Sequence, residues 1–331
     1  MKAAPPRSAR AARRSPPRQR GAALLTAMII VTLVATLASA MVWQQWRAVQ
    51  VEAAERARVQ AAWILAGALD WGRLILAEDA RSGRPTALTE PWAVPLAEAR
   101  LSSFLAADRN NNAADDDGPE AFLSGAISDA QARYNLSNVI DANNKIDPAE
   151  FEVLKRLCAT IGVSADVATR LAEGMQEALA PSAPSPSAPL LPASVAQLAW
   201  FGLDNTALQR LDPYLVLLPR TGAPTSVNIN TAPREVLVAA IKALDLSTAE
   251  QMLQMRQRAP FKAVADFSAQ FPNVAIEGAK LDTKSAYFEI RGRLRLGDRV
   301  LEERSLVQRV NANQIRVIDR ERIASRDQPG S

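Results

Sequence analysis

The chain has 331 residues, enough for two domains with real cores, and a formal net charge of +4. Seven of its 39 basic residues lie in the first twenty, which hold no acidic residue, so the remainder carries 32 basic against 35 acidic residues, a formal −3. The basicity therefore belongs to a terminal tail, and the rest has no overall pull on nucleic-acid phosphate. Histidine is absent, which removes Ser-His-Asp and Cys-His nucleophile systems and every His-containing zinc site. The single cysteine, Cys158, cannot form an internal disulfide. It falls on the apolar side of a predicted helix, as a buried, inert thiol. The composition argues against an enzyme.

Gly21 to Trp43 form one uncharged run behind the basic tail. Its length suits a helix crossing about 30 Å of hydrocarbon. The charge asymmetry predicts a cytoplasmic N-terminus and a main domain exported across the membrane. An ordinary secretory signal cut after Ala38-Ser-Ala40 is the alternative, as is a plain anchor. The run continues without proline to Gly83, and Gln44 to Asp79 has helix-forming composition. Trp63, Gly67, Trp71, Leu74 and Glu78 recur at three- and four-residue steps, and Leu65, Leu69 and Leu76 broaden the stripe. The expectation is one helix over about 22–80, its first half in lipid and its second packed on one face by a soluble domain.

Arg81-Ser-Gly-Arg-Pro85 ends that helix, and a Pro-punctuated stretch (88–96) follows. Next come an Asp/Asn-rich loop (108–118) and a predicted strand, GAISDAQARYNL (125–136). Asp147-Pro148-Ala149-Glu150 reads as an N-cap, a first-turn proline and a Glu reaching back, opening a helix that ends at Gly162. Ser164 opens another. PSAPSPSAPLLP (181–192) is a Pro/Ser linker. Ser194 begins a short helix, Thr231 caps TAPREVLVAAIKAL, and Ser247-Thr-Ala-Glu250 forms a capping box. After Lys284 the period changes to that of strands, giving three antiparallel strands with turns at Gly297-Asp298 and Asn311-Ala-Asn313. The helices interrupt the strands, so an inserted helical block in a small α+β domain is expected.

Two motifs invite other chemistry. VNINTAP (227–233) and its helix pair resemble half of a helix-hairpin-helix DNA-binding unit, but the hairpin KALDLST (242–248) has no glycine and carries Asp245. Asp108, Asn110, Asn112, Asp115, Asp116 and Asp117 offer oxygens to calcium, without the Glu that closes an EF-hand. Asp115 and Asp117 are paired acids near catalytic spacing, but they fall on a loop with no apolar pocket evident to raise a pKa.

Taken together, these segments resemble the minor pseudopilin K family of type II secretion systems. Arg18-Gln-Arg-Gly21 before AALLTAMIIV resembles a prepilin cleavage site. EPWAVPL (90–96), ISDAQARYNLSNV (127–139), PASVAQLAWFGLDNTALQRLDPYLVLLP (192–219), VNINTAP and SAYFEIRGRLRL follow in the family's order. The resemblance implies cleavage by prepilin peptidase between Gly21 and Ala22 and methylation of the new Ala22 amino group. Position 26 is Thr26 where most pilins carry Glu, a departure typical of the K subunit. A Glu in an apolar medium needs a partner, so Thr26 is read as the tip-specifying position. The family's calcium loop is replaced by the Pro/Ser linker, with no carboxylate from Ala178 to Leu203, so that calcium site is expected to be missing and no cofactor is assigned.

The implied fold is α+β: a type IV pilin-like long helix and small antiparallel sheet with a large SAM-like or helix-hairpin-helix-like all-α domain inserted. The expected domains are a leader (1–21), membrane (22–43) and periplasmic (44–80) parts of the helix, a first α/β part (81–140), the insertion (141–283), the final strands (284–322) and a disordered tail (323–331). The implied function is a non-enzymatic tip subunit of the periplasmic pseudopilus, in the inner membrane as a single-pass protein. Its partners would be the minor pseudopilins I and J, prepilin peptidase, the secretin and exoproteins, with no nucleic acid. A membrane-anchored adaptor or DNA-uptake protein is the alternative.

Overall fold

No proline occurs between Pro17 and Pro85, and in the computed structural model one α-helix, α1, runs Ala22–Arg81. The structure describes residues 22–101, 121–180, 189–276, 278–297 and 299–323. The leader with Gly21, the loop with the six candidate calcium ligands, most of the Pro/Ser linker, Asp298 and the final residues lie outside the described residues. Two units divide the chain, Met1–Gln60 and Ala61–Ser331. Gly83, in the left-handed region at φ 68, ends the helical path where a side chain would be strained.

Five antiparallel strands form a sheet in the order β1-β2-β7-β8-β9: β1 (Leu96–Arg100), β2 (Ala121–Asp129), β7 (Tyr287–Leu296), β8 (Arg299–Asn311) and β9 (Gln314–Ile323). The last three are the strands expected after Lys284. Edge strand β1 was not expected; its LAEAR sequence is short and only weakly alternating. β2 begins at Ala121 and stops at Asp129, because Ala130–Ala132 turn into a 3₁₀ helix, so the strand expected over 125–136 is shifted and cut short.

The 61–81 part of α1 lies on one face of this sheet. Ala61, Leu65, Leu69, Gly72 and Leu76 are buried there with Leu123, Phe288, Ile290, Leu294 and Val307. Burial of each leucine contributes roughly 2 kcal/mol. Close approach is set by two glycines. A Cβ on Gly72 would sit 2.9 Å from Ile290 Cγ2, and one on Gly292 2.8 Å from Leu65 Cδ1. The packed face is thus narrower than the broad stripe read from sequence, and Trp63, Gly67, Trp71, Leu74 and Glu78 are all exposed. The two sets are offset by two residues, about 200° around a helix, so they occupy opposite faces.

β2 and β7 are sheet neighbours, with Asp129 opposite Phe288, and residues 130–286 leave and return between them. This excursion holds α2 (Pro148–Thr160), α3 (Ala165–Ala178), a 3₁₀ helix (Val195–Phe201), α4 (Asn205–Leu211), α5 (Arg234–Ala240), α6 (Leu246–Arg258) and α7 (Val264–Gln270). Short parallel pairs, β3 (Tyr134–Asn135) with β4 (Leu215–Val216) and β5 (Val227–Asn228) with β6 (Leu281–Asp282), brace it. Its core includes Leu154, Leu157, Cys158, Leu171, Met175, Leu198, Leu237, Met252 and Phe267.

Several helix starts differ from the sequence reading. Asp147 does cap α2, accepting from Ala149 N and Glu150 N, but Asp147 N–H donates to Val139 O, so Glu150 does not reach back to it. Ser164 and Ser194 precede helices without a side-chain cap bond. Thr231 caps nothing: α5 starts at Arg234, and Thr231 Oγ1 donates to Asp129 instead. Asp245, not Ser247, caps α6, accepting from Thr248 N at 2.7 Å. A closer carboxylate displaces the capping box.

Asp129 joins the excursion to the sheet. Its buried carboxylate accepts from Gln131 N (2.8 Å), Asn228 Nδ2 (2.9 Å), Thr231 Oγ1 (2.6 Å) and Ser285 Oγ (2.6 Å). Burial pushes its carboxyl up, and these four donors pull the other way. A second anchor of the same region is Arg256, which donates to Ile229 O (2.7 Å) and Ala232 O (2.6 Å) and whose pKa burial pulls down to about 10.

Candidate assembly surface

Residues 22–53 are exposed throughout, and they include Leu24, Ile29, Val34, Leu37 and Val42. An 18-residue window of α1 reaches a mean hydropathy of 2.3 with none of it buried. Exposed apolar surface of this extent fits lipid or packed neighbours, not water. The polar side chains of the run are satisfied locally. Thr32, Thr36 and Ser39 donate to carbonyls one turn back, at 2.9, 2.8 and 2.8 Å. Such back-bonded hydroxyls can enter hydrocarbon without an unpaired group.

Ala22 is the first residue of α1, and Thr26 Oγ1 lies 3.0 Å from both Ala22 O and Ala23 O. Thr26 is uncharged and makes its own hydrogen bonds within one turn, so it demands no partner from a neighbouring chain.

Within the 61–331 unit, the outward face of α1 carries Trp63 (75% exposed), Trp71 (49%) and Leu74 (67%). Beside it, a groove of about 270 Å³ runs between α1 and the sheet, lined by Ala68, Trp71, Ile75, Trp92, Val94 and Leu96 among others. Trp92 is buried against Phe288 with ring centroids 5.4 Å apart, and its indole N–H meets no acceptor among the described residues. The sheet face away from α1 is charged instead. Glu289 is held by Arg133 and Arg304, Arg304 also pairs with Glu321, and Arg295 stacks on Phe122 at 4.0 Å and pairs with Glu98 at 2.7 Å.

The hairpin between α5 and α6 has Ala243 in the left-handed region at φ 62. Asp245 places a carboxylate at the start of α6, its pKa held down by the Thr248 N–H. A phosphate approaching that helix end would meet an anion already in place.

Comparison with known proteins agrees with this architecture. The family model described as type II secretion system (T2SS), protein K matches residues 132–220 and 227–287, almost the whole excursion from the sheet. Over these residues the chain is similar to the type II secretion protein K family. A type II secretion system protein K of Pseudomonas aeruginosa is 27% identical over 330 residues, covering 92% of each chain. One from Pectobacterium carotovorum is 25% identical over 335 residues, covering 92% of this chain and 96% of its own. Among solved structures, the GspK-GspI-GspJ complex from the enterotoxigenic Escherichia coli type 2 secretion system contains a chain of the same fold. The TM-score is 0.63 at 21% identity, with 82% of this chain and 99% of that chain covered. The chain is a minor pseudopilin of type II secretion, a structural component of the secretion machinery, and among the described residues it has one helix, at the N-terminal end, apolar and long enough to anchor it.

Sequence reasoning missed Asp129 as the junction and Glu150 as an inward-facing group. Neither carries a sequence signal, because both depend on which distant donors the fold brings near.

Proposed function

We propose that this protein K sits at the tip of the periplasmic pseudopilus, where it helps to initiate and cap the fibre that exports folded proteins across the outer membrane. The observation that carries this reading is the division of α1. One face of residues 61–76 is buried on the chain's own sheet, while the opposite face offers Trp63, Trp71 and Leu74. A neighbouring pseudopilin, of the kind seen with the related chain in the GspK-GspI-GspJ complex, covers that face. Thr26 lets the helix stand without the charge partner that a Glu requires. The large helical excursion, of SAM-like or helix-hairpin-helix-like type in this reading, prevents another subunit from stacking above it.

Maturation in this reading is cleavage between Gly21 and Ala22 by prepilin peptidase, followed by methylation of Ala22. The N-terminus is cytoplasmic and the main domain periplasmic, with the secretin and exoproteins as later contacts. Calcium is not required at 181–192, where no carboxylate is available. The loop with Asp108, Asn110, Asn112, Asp115, Asp116 and Asp117 is the remaining candidate, tested by thermal stability with calcium and with chelator. The DNA-uptake alternative is disfavoured by Asp245 at the start of α6.

Mass spectrometry of the mature N-terminus tests the reading. A methylated Ala22 is expected, and a chain beginning beyond Ala40 would remove the helix on which assembly depends. Trp63→Glu and Leu74→Glu are expected to abolish co-purification with partner pseudopilins while leaving the melting temperature within a few degrees of wild type, as both sites are exposed. Unchanged co-purification would place the interface elsewhere.

A further inference from the structure

The helical excursion contains a cavity of about 470 Å³, in the size range of small-ligand sites, bordered by Tyr134, Glu150, Arg156, Lys242 and Lys280 among others. Glu150 is only 5% exposed. The usual task of a Glu at this helix position, accepting from the N-cap amide, is taken from it because Asp147 N–H turns to Val139 O. Its carboxylate accepts from the buried Tyr134 hydroxyl at 3.1 Å and makes no ion pair among the described residues, the Lys280 charge acting on it only from a distance. Ionised carboxylates have about four acceptor positions, and a buried one is costly until a positive donor reaches it.

The cavity rim has the opposite charge. Lys242 and Lys280 are exposed, Arg156 is partly buried, and none of the three has an ion-pair partner among the described residues. Arg156 spends its Nε–H on Ala239 O at the end of α5, and Glu152 is already paired with Lys155 at 2.5 Å. A simple cation would be repelled by three positive groups on its way to Glu150. A simple anion would face the buried Glu150 carboxylate across the cavity and draw Lys280 away from it. A molecule with both an ammonium and a carboxylate answers both.

We infer that this cavity binds a small zwitterion of the amino-acid or dipeptide class, with its ammonium on Glu150 and its carboxylate on Lys242 and Lys280. The site is independent of the pilus-tip reading, since it lies wholly within the excursion and uses no residue of the outward α1 face.

The test is calorimetric titration of the purified full-length chain in detergent with dialanine, N-acetyl-dialanine and dialanine methyl ester. Dialanine is expected to bind saturably, and each blocked form at least about tenfold more weakly, a loss of about 1.4 kcal/mol. Glu150→Gln is expected to remove the advantage of dialanine over its N-acetyl form. Lys280→Ala, at an exposed site that folding does not need, is expected to remove the advantage over the methyl ester. Equal binding of all three compounds, no saturation at millimolar concentration, or wild-type selectivity in folded Lys280→Ala protein would each overturn the assignment.

Discussion

Arg309 on β8 and Asp79 near the end of α1 form an ion pair at 2.9 Å, with both side chains largely buried at 12% and 8% exposure. The same guanidinium donates to Thr86 Oγ1 and Ser285 O, each at 2.8 Å, and lies 4.7 Å from the Phe288 ring centroid. One side chain thus fastens the helix end, the segment after it and the point where the excursion returns to the sheet. Removing one partner leaves a buried charge without compensation, which costs about 3–5 kcal/mol. Arg309→Met is expected to lower the unfolding free energy by that amount in urea titrations. Asp79→Asn with Arg309→Met is expected to recover part of it.

Glu150 gives a pH dependence with a definite sign. Burial is the largest influence and raises its carboxyl, with the Tyr134 hydrogen bond opposing. The folded protein therefore holds this proton more tightly than the unfolded chain. Its contribution to stability is fully present below the ordinary carboxyl pKa of about 4.3 and is lost as pH rises through the higher folded value. The difference in unfolding free energy between wild type and Glu150→Gln is expected to turn against wild type across that interval. A difference independent of pH from 4 to 7 (about three decades of proton activity) would contradict it.

Two glycines predict opposite outcomes for the same substitution. Gly67 is exposed within α1 with nothing within 4 Å of an added Cβ, so Gly67→Ala is expected to stabilise by about 1 kcal/mol through helix propensity. At Gly125 on β2 the Cβ would meet the Arg291 carbonyl oxygen at 2.8 Å, a backbone atom with no rotamer to yield. Gly125→Ala is expected to destabilise by about 1–3 kcal/mol. Chemical denaturation of both variants reads the signs directly.

Cys158 is fully buried in the core of the excursion, and burial pushes its thiol up to about 11. Neither access nor thiolate is available near neutral pH. Thiol reagents are expected to modify it only in denaturant, at a rate set by unfolding.

How far the sequence reached is clearest along α1. Composition alone specified the apolar run, the absence of helix breakers to Gly83 and the change of period at the final strands, because each is a local property of consecutive residues. The VNINTAP segment was likewise legible as a family feature. Which side of α1 is buried was not. Ala61, Leu65, Leu69, Gly72 and Leu76 and the set Trp63, Gly67, Trp71 and Leu74 are both spaced for a helix face, and both contain large apolar residues. The sheet selects the first set because Gly72 and Gly292 let the two backbones approach, whereas a tryptophan at either point would hold them apart.

The polar positions divide in the same manner. Asp147 was readable as a cap because the amides it serves are two and three residues away. Thr231, Glu150 and Asp129 were not, since their partners come from residues far along the chain. Local order in this protein follows from neighbouring residues, while the junctions that join sheet to excursion exist only where buried polar groups had to find distant partners once water was excluded.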